Sequence, residues 1–142
     1  MKFPMLKTLL SVTACLTMCA PLAFAGPRVV NCNDGDSLQT PLDAGAGAAA
    51  PIEILVTGTC HEDPRIRRDR VSISGDGFTT INGRIRVFGD SLLLTDLTVK
   101  DGISLRNSRA RFFDLQIVGN EDGFGILAAA NTSLSCVRCT IS

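Results

Sequence analysis

The sequence predicts an all-β protein built as a parallel β-solenoid of about four coils, preceded by a short capping helix. Pairs of apolar residues two positions apart recur in the second half of the chain, namely Val71/Ile73, Leu97/Val99, Leu115/Ile117 and Cys139/Ile141. A spacing of two places both side chains of a pair on one face of a strand. The pairs begin at 71, 97, 115 and 139, so the steps between them are unequal (26, 18 and 24), and the intervening segments contain Gly, Asp and Asn. Irregular steps of this size favour stacked coils over hairpins.

The segment 1–25 predicts a secretory signal peptide. It begins with two lysines and continues into an apolar run over 9–19, which is too short to span a bilayer. Ala23 and Ala25 form an A-x-A cleavage site. Cleavage there leaves 26–142 as one domain, which we expect to be secreted or periplasmic.

A competing interpretation of the same segment is a bacterial lipoprotein signal. Residues 12–15 resemble a lipobox, which would place a lipid on Cys15. This alternative leaves an apolar stretch directly behind the lipidated cysteine, so secretion after cleavage at Ala25 is the favoured interpretation.

The charge balance excludes some classes of partner. The chain has 14 basic and 14 acidic residues, and removal of the two signal-peptide lysines leaves 12 basic against 14 acidic residues. A nearly neutral chain produces no strong field for nucleic acid or for an anionic membrane. We therefore expect no nucleic-acid partner. Because the apolar run over 9–19 is too short to span a bilayer, we also expect that the protein is not an integral membrane protein.

Four cysteines remain in the predicted mature chain. Four cysteines allow three connectivities, and an oxidising compartment makes disulfides plausible. We favour Cys32–Cys60 and Cys136–Cys139, because each pair falls within one structural unit. The C-x-x-C at Cys136 and Cys139 is interpreted as two buried thiols or as a disulfide across a corner.

A short strand and a turn open the mature chain, and a helix over about 38–44 follows them. Asp36 or Ser37 is the expected N-cap. Leu38 and Leu42 lie four positions apart and form one apolar face. A single amphipathic helix ahead of a repeat array predicts a cap that hides the open end of the first coil.

The first coil is predicted from a strand over 52–56, a bend over 58–60, the inward residue Ile66 and a closing strand over 71–73. The second coil spans about 79–100. The third coil repeats its pattern at an offset of 18, and the fourth repeats the third at an offset of 24. The predicted inward residues of these coils are Ile85, Val87, Leu92, Leu94, Leu97 and Val99, then Ile103, Leu105, Ala110, Phe112, Leu115 and Ile117, then Leu127, Ala129, Leu134, Cys136, Cys139 and Ile141.

Each of these coils also contains a two-residue corner between inward residues. The corners are Thr95-Asp96, Phe113-Asp114 and Val137-Arg138. Gly-containing turns at 75–77, 101–102 and 121–123 absorb the variation in coil length. Such turns lie on the surface and often carry function.

Three stretches carry a resemblance to a known family: Asn31–Gln39 (NCNDGDSLQ), Val56–Glu62 (VTGTCHE) and Val71–Gly77 (VSISGDG). They resemble the right-handed parallel β-helix superfamily of pectate-lyase-like folds, and in particular its secreted bacterial proteins with right-handed β-helix repeats. The resemblance implies a right-handed coil and an association with polysaccharides. Because members of the family usually have more coils, we expect the domain to be incomplete at its C-terminus.

The resemblance carries little information about activity. The polygalacturonase motifs NTD, DD, GHG and RIK are absent, and the chain has no Trp and no Tyr to form a sugar platform. Four phenylalanines are the available substitutes, at positions 78, 88, 113 and 124. The sequence favours an exported non-catalytic module, structural or polysaccharide-binding. The alternative is a truncated or degenerate polysaccharide lyase or glycoside hydrolase.

Outward-facing arginines are the candidate ligand-binding residues. By strand alternation these are Arg84, Arg86, Arg106, Arg109 and Arg111. They suit an anionic polysaccharide, and the alternative is a solvated sheet face on which the arginine stems cover apolar surface.

Acidic turns are the candidate metal ligands. If Asp76, Asp101, Glu121 and Asp122 stack along one edge, carboxylates on adjacent coils lie about 5 Å apart and suit Ca²⁺. The alternative is that Asp-Gly serves the turns alone. No other cofactor is expected. The last coil also predicts self-association, because an open solenoid edge pairs readily with another copy.

Overall fold

The computed structural model describes residues 26–44 and 50–142, and within them the chain forms a parallel β-solenoid of about four coils, as predicted. The signal peptide expected over 1–25 and the residues 45–49 lie outside the described residues. A 3-10 helix spans Cys32–Asp34, and α1 spans Gln39–Asp43. The strands are β1 (Arg28–Asn31), β2 (Ile52–Thr57), β3 (Thr59–Cys60), β4 (Arg65–Ile66), β5 (Val71–Asn82), β6 (Ile85–Val87), β7 (Ser91–Lys100), β8 (Ile103–Arg106), β9 (Arg109–Ile117), β10 (Ile126–Ala129), β11 (Ser133–Val137) and β12 (Thr140–Ile141).

The strands form two parallel sheets. One has four strands in the order β10-β8-β6-β4, and the other has eight, with the path β1-β2-β5-β7-β9-β11, β3 on β5 and β12 on β9. The long strands β5, β7 and β9 bend in the middle. Each coil therefore has a first face on the four-stranded sheet, a second face before the bend and a third face after it.

The bends coincide with the predicted corners. Asp96, Asp114 and Arg138 adopt left-handed φ values of 53°, 52° and 53°. This conformation turns a strand sharply without breaking the ladder on either side, and Asp tolerates it better than most residues.

The corner within β5 is wider than the corners of β7 and β9, and this overturns one predicted alignment. Ser74 aligns with Thr95 and Thr79 with Leu97, so that residues 75–78 occupy the place of Asp96 alone. Val71 therefore pairs with Leu92, and the predicted correspondence of Val71 with Leu97 is wrong. Because of these extra residues, Val71 and Ile73 lie on the second face, whereas Leu97 and Val99 lie on the third. The predicted offsets of 18 and 24 are confirmed by the registers of β7, β9 and β12.

The fourth coil contains a second correction. Ile126 aligns with buried Ile103, whereas Leu127 aligns with outward Ser104. The prediction that Leu127 and Ala129 point inward is therefore wrong. The turn over 130–132 is one residue longer than the turn over 107–108, so the offset of 24 begins only at β11.

The core runs along the inside of the coils. All 12 inward residues predicted for the second and third coils are buried, and Phe112 is the largest of them. Burial of each large apolar side chain stabilises the fold by roughly 1.5–3 kcal/mol. Stacked coils supply that burial to each other, because a single coil has no interior of its own.

The helix packs on the first coil as predicted, but its N-cap residue is Leu38, so the prediction of Asp36 or Ser37 as the N-cap is wrong. Leu38 and Leu42 are buried against the core. The Ser37 hydroxyl accepts a hydrogen bond from the N–H of Gln39, and the Glu62 carboxylate accepts one from the N–H of Leu38. Arg68 is buried, and its guanidinium donates hydrogen bonds to the backbone carbonyl oxygens of Ala44 and Ala50.

Among the described residues, no helix has the length and apolar character needed to cross a bilayer.

Candidate functional site

The five predicted arginines lie on two faces. Arg86 and Arg106 project from β6 and β8 on the first face, and Arg84 lies in the turn before β6. Arg109 and Arg111 are on β9, on the second face. The turn over 107–108 joins the two groups.

Other arginines join them around the same edge. Arg65 on β4 aligns with Arg86, so their side chains stack on neighbouring coils. Arg67 and Arg70 lie in the turn that leads from β4 to β5. We call this surface the arginine face, and it consists of Arg65, Arg67, Arg70, Arg86, Arg106, Arg109 and Arg111. Arg86 is half-buried and the other six are exposed.

Carboxylates are few on the arginine face. Asp90 pairs with Arg109, with 3.0 Å between Oδ2 and Nη2, and Asp63 pairs with Arg86 at 3.7 Å. Asp69 accepts a hydrogen bond from the N–H of Asp90. Glu53, exposed on β2, adds a fourth carboxylate on the second face, in register with Ser72, Leu93 and Arg111. Seven arginines therefore share this surface with four carboxylates, and exposed cations remain for an anionic ligand.

A groove lies on the second-face side of this surface. It has a volume of about 930 Å³, and its lining includes Arg70, Arg109 and Arg111 together with Ser91, Ser133 and Ser135. Guanidinium groups donate hydrogen bonds to carboxylates and sulfates in a fixed planar fork. The serine hydroxyls add groups that donate and accept.

The first-face side of the surface includes an exposed aromatic ring. Phe88 is 50% exposed and lies one residue beyond Val87, which pairs with Leu105 and Ile66. Its neighbours on the adjacent coils are therefore Arg67 and Arg106. An apolar ring flanked by cations offers a sugar ring both stacking and charge.

The four predicted metal ligands do not come together. Asp76 lies in the wide corner between the second and third faces, whereas Asp101, Glu121 and Asp122 lie in the turns that lead from the third face to the first. Asp101 and Asp122 line one small cavity of about 200 Å³, which they share with Arg84. In the part of the chain that the structure describes, these carboxylates form no set of three within 4.8 Å.

One cluster in the described ranges does meet that spacing, and its chemistry does not suit a metal. It consists of Cys32, Cys60 and Glu62. The two sulfurs are joined in a disulfide, and the Glu62 carboxylate accepts hydrogen bonds from the cap. These groups are already committed to the structure of the cap.

Both favoured disulfides are present. Cys32 and Cys60 have Cα atoms 5.0 Å apart, and those of Cys136 and Cys139 are 5.9 Å apart. The first ties the 3-10 helix to the first coil, and the second closes the corner at Arg138. Cys136 aligns with Phe112, as predicted.

Strand alternation places these arginines outward but does not group them, because alternation alone does not say which face of the coil a residue occupies. The alignment of Arg65 with Arg86 depends on the lengths of two turns. Searches of this chain against protein-family models, curated proteins and solved structures give no match.

Proposed function

We propose that this protein is an exported, non-catalytic β-helix module that binds an anionic polysaccharide through the arginine face. The observation that supports the proposal is the segregation of charge. The 14 basic residues of the chain are balanced by its 14 acidic residues, yet seven arginines share one surface with only four carboxylates. A local excess of cations attracts a polyanion even when the net charge is near zero.

The shape of the surface supports a chain-like ligand over a small one. The arginines project from three successive coils, with Arg65, Arg67 and Arg70 on one, Arg86 on the next and Arg106, Arg109 and Arg111 on the third. Coils repeat at about 4.8 Å along the solenoid, so a polymer with several carboxylates or sulfates that runs across the coils can contact cations from more than one coil. Export and the pectate-lyase-like family remain parts of this proposal, and the two disulfides suit an oxidising compartment.

The direct test is binding of hexagalacturonate, measured by isothermal titration calorimetry at low and at high salt. We expect binding that weakens with salt, because exposed charges are screened. The double variant Arg106→Ala/Arg111→Ala removes two exposed contacts of about 0.5–1 kcal/mol each, which weakens binding roughly tenfold. Arg28→Ala is the matched control, since Arg28 is exposed on β1 at the other end of the molecule.

Two results would overturn the proposal. One is equal binding by the double variant and the Arg28→Ala control, and the other is no binding by the wild-type protein at low salt. The alternative function, a degenerate lyase or hydrolase, predicts release of new unsaturated or reducing ends from polygalacturonate. Detection of such ends would overturn the non-catalytic part of the proposal.

A further inference from the structure

The third face carries a ladder of uncharged polar side chains. Thr59 aligns with Thr80, Thr80 with Thr98, Thr98 with Gln116, and Gln116 with Thr140. Their chain neighbours Ile81, Val99 and Ile117 are buried, so the ladder points outward. Hydroxyl and amide groups therefore repeat at about 4.8 Å along the solenoid. Asn82 and Lys100 lie beyond the ladder, away from the corner.

An ion pair borders the ladder at the corner. The guanidinium of Arg138 donates two hydrogen bonds to the carboxylate of Asp114, with 2.6 Å between Nη2 and Oδ2. The pair and the ladder line a groove of about 460 Å³. We call it the threonine groove, and its polar lining consists of Thr98, Asp114, Gln116, Arg138 and Thr140. Such a lining offers donors and acceptors side by side.

An exposed aromatic ring stands at the same corner. Phe78 is 90% exposed, and Gly77, the residue before it, lines the threonine groove. Within β5, Phe78 and Thr80 lie two positions apart and share the outer side of the strand. Phe78 is the most exposed of the large apolar side chains in the described residues, so the face of its ring is available for stacking.

Hydrogen bonds hold the turn that carries Phe78. The hydroxyl of buried Thr79 lies 2.8 Å from both Oδ1 of Asp76 and the carbonyl oxygen of Val56. The same Asp76 oxygen accepts a hydrogen bond from the N–H of Phe78 at 2.9 Å. The hydrogen bonds that the Asp76 carboxylate accepts lower its pKa, the one from the Thr79 hydroxyl most and the one from the Phe78 N–H next. The ring is thus presented on a preorganised turn, which lowers the entropic cost of binding.

The charges of this corner disfavour a polyanion. Asp76, Asp96 and Asp114 lie on successive coils, and Arg138 is already paired with Asp114. A neutral, polyhydroxylated ring fits the corner better. The hydroxyls of a sugar can bond to the donors and acceptors that lie side by side in the groove, and its apolar face can stack on the exposed ring of Phe78.

We propose that the threonine groove, with Phe78 at its rim, binds a neutral oligosaccharide. The groove is separate from the arginine face and does not depend on it. If the arginine face also binds as proposed above, then the protein has a cationic site for an anionic glycan and a separate, uncharged polar site for a neutral one, and it holds both glycans at once.

The test uses four neutral probes, which are cellohexaose, xylohexaose, mannohexaose and chitohexaose. We expect at least one of them to shift the amide resonances of Thr98 and Gln116 in a ¹⁵N-labelled sample of the chain. Phe78→Ala is expected to lower the affinity for that probe about tenfold. Phe124→Ala is the matched control, because Phe124 is 56% exposed in a turn on a different edge. Gln116→Ala provides a second variant in the groove itself.

The proposal is overturned if none of the four probes shifts these resonances, or if Phe78→Ala and Gln116→Ala both bind like Phe124→Ala. Hexagalacturonate in the same experiment separates the two sites. If hexagalacturonate shifts only amide resonances of the arginine face, then failure of the neutral probes overturns the threonine groove and leaves the anionic site intact. If only the neutral probes shift resonances, then the anionic site is overturned and the threonine groove stands.

Discussion

The carboxylate of Glu62 accepts a hydrogen bond from the backbone N–H of Leu38, with 2.6 Å between Oε1 and the nitrogen. Its other oxygen accepts hydrogen bonds from the Ser37 hydroxyl at 2.8 Å and from the Gln39 N–H at 3.3 Å. Leu38 is the N-cap residue of α1 and has no side chain able to cap it. The first coil therefore supplies, through Glu62, the carboxylate that caps the N-terminus of the helix covering it.

Replacement of Glu62 by Ala is expected to lower the free energy of unfolding by about 1–2 kcal/mol, the typical cost of a lost cap. Glu62→Gln keeps an acceptor oxygen and should lose less. Urea denaturation measures both. Glu53→Ala is the control, because Glu53 is exposed on β2. Equal unfolding midpoints for Glu62→Ala and Glu53→Ala would contradict this account of the cap.

Arg68 makes a second connection between the cap and the coils. Its Nη1 donates to the carbonyl oxygen of Ala44 at 2.8 Å, and its Nη2 donates to that of Ala50 at 3.0 Å. The side chain is 6% exposed. One buried guanidinium thus binds the backbone on both sides of 45–49.

Arg68→Met keeps much of the volume and removes both charge-assisted hydrogen bonds. We expect it to lower the free energy of unfolding by about 3 kcal/mol, since each such bond contributes roughly 1.5–3 kcal/mol and the change also removes a desolvated charge. Arg67→Met, at an exposed position, should change it by less than about 0.5 kcal/mol. Similar thermal midpoints for the two variants would show that the buried bonds contribute little.

The two disulfides differ in access to solvent, and this predicts the order of their reduction. Cys60 is 2% exposed, whereas Cys136 is exposed on β11. Thiol exchange requires direct attack on a sulfur, so Cys136–Cys139 is expected to be reduced first in the folded protein. Mass spectrometry after mild reduction and alkylation reports which cysteines are labelled. Earlier labelling of Cys32 and Cys60 would contradict the prediction.

Loss of the buried disulfide should also have the larger effect on stability. The Cys32–Cys60 bridge closes a sequence separation of 28 residues, and the Cys136–Cys139 bridge closes 3. A double Cys→Ser change at Cys32 and Cys60 is expected to cost about 2–5 kcal/mol. The same change at Cys136 and Cys139 should cost less, because its loop restricts the unfolded chain less. The midpoints of thermal unfolding test this ranking.

The sequence pattern was sufficient for the parts of the fold that repeat without insertions. Leu97 and Leu115 lie in equal places on equal coils, so the offset between them gave the register directly. The predicted register was wrong where one turn changes length, since a shift of one residue moves an outward position to the inside. Leu127 was misplaced for this reason, and the insertion at 75–78 hid the alignment of Val71 with Leu92.

The candidate sites were harder to predict than the fold. Outward arginines were recognisable from alternation, but the grouping of Arg65 with Arg86 follows from the stacking of two different coils. Glu62 gave no sign of its role, because the helix that it caps begins 23 residues earlier in the chain. The exposure of Phe78 depends on the wide corner, which only the aligned strands reveal.

The ion pair between Asp114 and Arg138 predicts a specific dependence of stability on pH. The hydrogen bond from Arg138 holds the pKa of Asp114 below its ordinary value of 3.8. A carboxyl whose pKa is lowered by folding stabilises the folded state wherever it is ionised in both states, and that contribution disappears as the pH falls through the folded-state pKa. The free energy of unfolding of the wild type should therefore exceed that of Asp114→Asn by a constant amount between about pH 5 and 7, and the difference should shrink below about pH 4.

Urea unfolding at several pH values measures the difference, and Asp76, whose pKa is also lowered, titrates in both proteins and cancels from it. The control is the same comparison in an Arg138→Gln background, where the pH-dependent difference should vanish. If the difference persists in that background, or stays constant into strong acid, then Arg138 is not the group that stabilises the Asp114 carboxylate.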